Sequence, residues 1–157
     1  DQCNTRLDTR IDLAPDSRLI TWDVACLGRP ASSEPFRHGS IRQSLEIAQQ
    51  GKMLLNDRLL IQGAGKMLTE PWGFDNYPVV GYLVAAPGTA FMRDKVREIT
   101  GFEESVRLTT TLLNGLLVCR VLARRAELAR RKLLQVWQLL RPYIVAKEAI
   151  QPRIWHT

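Results

Sequence analysis

The chain has 157 residues, 45% of them hydrophobic and 24% charged. That is the make-up of one folded domain or part of one, and it excludes an intrinsically disordered chain. The formal net charge of +6 favours acidic partners as a class (nucleic acid, anionic membrane or acidic protein) without choosing among them, and solubility alone would account for it equally well.

In chain order, residues 3–13 alternate apolar or β-branched residues with charged ones, the pattern of a half-buried strand. The pattern starts at once and a strand needs a neighbour, so the reading is a chain truncated at its N-terminus. Pro15-Asp16-Ser17 makes a turn. Residues 18–27 form a second strand with Ile20, Trp22, Val24 and Cys26 on one face and Asp23 on the other. A loop follows from Leu27-Gly28-Arg29-Pro30. Ile41, Leu45 and Ile47 mark a third strand, and Gln50-Gly51-Lys52 turns the chain. Residues 53–61 return with Met53, Leu55, Leu59 and Ile61 on one face. Asp57 interrupts that face, where a carboxylate must be paired, hydrated or lining a cavity.

Residues 63–78 read as a glycine- and proline-containing connection, and 79–85 as a short apolar strand. Thr89 to Ile99 has helical spacing with Gly101 as its stop. Asn114-Gly115 between two β-prone runs is a hairpin signal. Leu122, Ala126, Ala129, Leu133, Trp137 and Leu140 form one apolar helix face, ended by Pro142. In the tail, Trp155 anchors a segment that docks. The expected fold is mainly β with two α-helices, without the alternation of a doubly wound sheet.

The sequence has no secretory signal, and its longest uncharged run, Asn76 to Met92, is too short and broken to span a bilayer. A soluble cytoplasmic protein is expected. Cys3, Cys26 and Cys119 are odd in number and widely spaced, a poor disulfide framework. Cys26 and Cys119 lie in apolar runs and read as buried thiols. Neither His38 nor His156 belongs to a cluster with zinc-ligand spacing.

Serine-hydrolase elbow, phosphate-loop and zinc-protease motifs are absent. Gly63-Ala64-Gly65-Lys66 only superficially resembles a phosphate loop, for want of strand-to-helix context and of a Ser or Thr after the Lys. Arg120, Arg124, Arg125, Arg130, Arg131 and Lys132 stand against Glu127 alone. That run has three readings: a nucleic-acid footprint, a solvated helix face, or a docking surface for an acidic protein.

Several stretches, in order, resemble the UreD/UreH family of urease accessory proteins. They are the run from Leu19 through Trp22-Asp23 to Cys26-Leu27-Gly28-Arg29-Pro30-Ala31; Glu34-x-Phe36-x-His38-Gly39 with Leu45-Glu46; Leu54-Leu55-Asn56-Asp57-Arg58-Leu59; Val136-Trp137-Gln138-x-Leu140-Arg141-Pro142; and Pro152-Arg153-Ile154-Trp155-x-Thr157. The resemblance implies a β-helix-like sheet stack, with residues 1–157 as the C-terminal part of a single UreD-like domain. It implies a scaffold without catalysis that binds apo-urease and UreF, reaches UreG through UreF, and assists nickel insertion into the urease active site. It implies further that no cofactor is permanently bound, that nickel passes in transit, and that neither nucleic acid nor membrane is a partner. Asp23 and Asp57 match positions tied to an internal nickel path, although Asp57 stands where the family typically has Glu. The alternative role for both acids is structural, paired with an Arg such as Arg29 or Arg58. The alternative function for the chain is a small basic nucleic-acid-binding domain.

Overall fold

A computed structural model describes residues 2–100 and 103–156. In chain order the elements are β1 (Cys3–Leu13), β2 (Leu19–Cys26), β3 (Gly28–Arg29), β4 (Glu34–Pro35), β5 (Gly39–Gln49), β6 (Lys52–Gln62), α1 (Lys66–Thr69), β7 (Val79–Ala86), α2 (Ala90–Ile99), β8 (Val106–Leu113), β9 (Leu116–Ala123) and α3 (Ala126–Val145), with 3₁₀ turns at Pro30–Ser32 and Arg153–His156. The expected mainly β fold with two sizeable helices is what forms. The helix stop assigned to Gly101 falls outside the described residues, and so does the side chain of His156.

Three layers result. The first sheet has the order β1-β5-β6, the second β2-β7-β9-β8, and β3 pairs with β4 alone. Strand β1 runs parallel to β5, with Thr5 opposite Ile41 and Ile11 opposite Ile47. Strands β5 and β6 are antiparallel, joined through Gln50 and Gly51, both at positive φ (50° and 77°). The predicted Asn114-Gly115 hairpin joins β8 to β9 with φ of 49° and 77° at its two corners, the left-handed pair that matches strand twist.

Alternation gives the middle sheet two buried faces. Val84, Ala86, Leu116 and Val118 pack against Leu13, Leu45, Ile47 and Leu55 of the first sheet. From the opposite face of the same strands, Leu83, Ala85, Leu117, Cys119 and Val121 meet Met92 and Val96 of α2 and Leu133, Val136, Trp137, Leu140 and Ile144 of α3. Each Val, Leu, Ile or Met among them contributes about 1.5–3 kcal/mol through burial. Thr89 caps α2 by accepting from the Met92 amide at 3.2 Å.

Four local expectations are corrected. Leu122 belongs to β9 rather than to the final helix, and Arg120, Arg124 and Arg125 precede that helix. Pro142 does not end α3, which continues to Val145. Its missing N–H removes one bond, to exposed Gln138, while Ile144, fully buried, holds the last turn against the core. Ala146, at φ 53°, closes the helix by donating to the Pro142 carbonyl. Residues 63–78 are not a bare connection, since they contain the single turn α1. Gly63-Ala64-Gly65-Lys66 therefore does have strand-to-helix context. The amides of Gly63, Ala64 and Gly65 are nonetheless engaged with Gly39 O, Phe36 O and Gln62 O at 2.9, 3.0 and 3.0 Å, which withdraws these three from any phosphate.

The thiols divide differently from expectation as well. Cys119 is buried, but Cys26 is exposed, as is Cys3. Cys26 is the last residue of β2, which among the described residues is the edge strand of its sheet. Burial pushes the Cys119 thiol up to about 11 from 9.0, opposed by its contact with the Thr110 hydroxyl. In the native protein a thiol reagent near pH 8 should therefore modify Cys3 and Cys26 and leave Cys119 untouched until unfolding. The folded state holds the Cys119 proton more tightly than the unfolded one. That stabilisation is complete below pH 9 and is lost as pH rises towards 11, with a slope of about 1.4 kcal/mol per pH unit. Denaturant titrations of wild type and Cys119→Ala across this window should differ by that slope. Among the described residues, no helix is long and apolar enough to cross a membrane.

Candidate functional site

The apolar contact between the two sheets does not extend along their whole length. Beyond the Leu45 end it gives way to a cavity of about 310 Å³, lined by Asp23, Gln43, Asp57, Phe74, Tyr82 and Arg120 among others. Asp57 reaches it because it shares the inward face of β6 with Leu55 and Leu59. Asp23 reaches it because it lies on the face of β2 opposite Trp22 and Val24, which pack towards the helices. The two acids singled out in the sequence thus arrive from different sheets at one cavity.

Polar links cross the sheets here. Arg120 of β9 donates from Nη2 to Asp57 Oδ2 at 2.7 Å. Gln43 of β5 donates from Nε2 to Asp23 Oδ2 at 3.1 Å, and the Val24 amide donates to Asp23 Oδ1 at 2.9 Å. Tyr82 of β7 stands in register between Asp23 of β2 and Arg120 of β9. Burial first, and then the charges of Asp23 and Asp57, raise its hydroxyl above the ordinary tyrosine value, so it stays protonated and neutral. The ion pair is not deep: the side chains of Arg120 and Asp57 are 58% and 37% exposed. Asp23 is exposed at the cavity edge. Little desolvation is therefore imposed on either carboxylate.

The arginines expected beside these acids are elsewhere. Arg29 pairs with Glu34 at 3.3 Å and Arg58 with Glu46 at 3.2 Å. Arg58 adjoins Asp57 in sequence, so strand geometry points it to the opposite face. Sequence reasoning missed Arg120, Gln43 and Tyr82. Arg120 carried a usable signal: it is a charge between Val118 and Leu122 on one face of a strand, the same interruption that marked Asp57.

The run of cations around α3 is largely engaged. Arg124 donates to Asn76 O at 2.7 Å and stacks on the Tyr77 ring at 4.3 Å. Arg125 pairs with Glu127 at 3.3 Å and Lys132 with Glu103 at 2.5 Å. Arg130 donates to the Trp155 carbonyl. Trp155 docks as expected, its ring 5.2 Å from that of Trp22 and 5.0 Å from that of Trp137. Among the described residues, no group of three or more His, Cys, Asp or Glu side chains could hold a metal ion. The cavity offers two carboxylates, an amide and a phenol: oxygen chemistry suited to weak binding of a cation rather than to retention.

The family model described as UreD urease accessory protein matches residues 1–156. The urease accessory protein UreD of Nitrosococcus oceani is 38% identical over 159 residues, covering 99% of this chain and 52% of its own length. That of Pseudomonas fluorescens strain Pf0-1 is 44% identical over 152 residues, covering 96% and 53%. Urease accessory protein UreD 2 of Pseudomonas syringae pv. tomato is 40% identical over 151 residues, covering 96% and 54%. The chain spans about half the length of these relatives.

Proposed function

The chain belongs to the UreD urease accessory protein family, and from that premise we propose that it works as a scaffold rather than as an enzyme. In this reading it binds apo-urease and UreF in the cytoplasm, meets UreG through UreF, and assists the delivery of nickel. Asp23 and Asp57 line part of the route, and nickel is cargo. The observation that carries the reading is the convergence of these two acids, from separate sheets, on one cavity. Carboxylate oxygens hold a divalent cation weakly enough to release it, whereas thiolates would retain it. The partial exposure of both acids spares their carboxylates a large burial penalty.

The test is co-purification of the tagged protein with UreF and apo-urease, followed by measurement of nickel per urease active site. Capture of both partners at moderate salt, with nickel loading that depends on the protein, is the expected result. Failure to capture either partner at any salt concentration would remove the scaffold reading. Binding to nucleic acid that collapses between low and moderate salt would instead support a basic nucleic-acid domain.

A further inference from the structure

Three charged side chains line the cavity: Asp23, Asp57 and Arg120. Two carboxylates and one guanidinium give it a net charge of −1. Withdrawing Arg120 would leave −2, the complement of a divalent cation. We propose that Arg120 is an exchangeable counter-ion, which neutralises Asp57 in the metal-free form and yields that carboxylate to a divalent cation. The proposal rests on the passage reading above and adds the residue that controls when Asp57 becomes available.

The two acids are held in different ways. Asp23 takes its hydrogen bonds from neutral donors, the Gln43 amide and the Val24 backbone, neither of which competes electrostatically with a cation. Asp57 is held by a cation, which must leave for another to approach. Arg120 makes one hydrogen bond to it, from Nη2 to Oδ2 at 2.7 Å, rather than the paired fork that fixes an arginine firmly. With more than half of its side chain already exposed, Arg120 gives up only the smaller, buried part of its surface when it swings out. Ion pairs of this exposure are weak and exchange readily. A guanidinium does not deprotonate and offers no lone pair to a metal. An arriving divalent ion therefore repels Arg120 instead of recruiting it. The remaining polar groups, Gln43 and Tyr82, are neutral, so the charge balance depends on Arg120 alone. Arg120 is a regulating residue here and not a ligand.

The experiment is calorimetric titration of the full chain with Ni²⁺ for wild type, Arg120→Met, Arg120→Lys, Asp57→Asn and the Arg120→Met/Asp57→Asn double variant, with thermal midpoints recorded alongside. Removing the competing charge should tighten Ni²⁺ binding by about two- to fivefold. Arg120→Lys keeps the charge and should stay near wild type. Asp57→Asn should weaken binding and abolish any further effect of Arg120→Met. If Asp57→Asn weakens binding but Arg120→Met matches wild type, Arg120 is only a strap between the sheets; the counter-ion proposal fails and the passage reading stands. If removing Asp57 leaves Ni²⁺ binding unchanged, the passage reading fails first. A collapse of the fold in Arg120→Met would also overturn the proposal, since a side chain free to swing cannot be needed for folding.

Discussion

Replacing Asp23 and Asp57 together by Asn is expected to reduce nickel loading of urease severely while leaving the protein folded and bound to its partners. Asn keeps the size and shape of each side chain and removes its charge. A carboxylate about 4 Å from a unit charge contributes roughly 1 kcal/mol in water and about 4 kcal/mol near a protein surface. For partly exposed acids beside a divalent ion, that range corresponds to roughly a tenfold loss per carboxylate. Stability should hardly move. Among the described residues the one ion pair lost is Asp57–Arg120, and pairs of such exposure contribute at most about 1 kcal/mol. The decisive measurement is nickel per active site in a reconstituted activation, with co-purification of UreF and urease as the control. Full loading by the double variant would sink the passage reading. Loss of co-purification would show instead that the two acids serve assembly.

The largest effect on stability is expected at Trp137. It is 6% exposed and sits on α3 in the cluster joining that helix to the middle sheet. The Trp155 ring rests edge-on against it at 5.0 Å, and the Arg141 guanidinium covers it at 5.1 Å. Truncation to Ala should cost about 3–5 kcal/mol, a large share of the 5–15 kcal/mol typical of a domain. Trp137→Phe keeps most of the buried area and should cost clearly less. Denaturant midpoints for the two variants, with proteolysis of residues 147–156 read in parallel, separate loss of core from loss of the tail's seat. An unchanged midpoint for Trp137→Ala would mean that α3 is held by other contacts.

Where local chemistry decides the structure, the sequence was readable. Asn114-Gly115 made a hairpin because both corners need positive φ, and Thr89 started a helix because its hydroxyl caps one. The alternation of β2 and β6 correctly turned Asp23 and Asp57 away from the neighbours that flank them in sequence. What eluded the sequence was pairing between distant segments. Nothing local says that β1 lies parallel to β5, or that Arg120 rather than Arg58 meets Asp57, because both depend on how sheets stack. Pro142 misled for the opposite reason. The local rule was sound, but the burial of Ile144 outweighed one lost hydrogen bond.

The parallel pairing of β1 with β5 also bears on the order in which the chain assembles. Strands β5–β6 and β8–β9 meet across tight turns and can zip within microseconds. Strand β1 must wait for β5 across residues 14–38, a stretch whose own strand β2 belongs to the other sheet. Closing so long a loop is entropically unfavourable until a partner is ready. During synthesis β1 leaves the ribosome before its partner β5, and until β5 arrives its unpaired edge is a surface in need of protection from other chains.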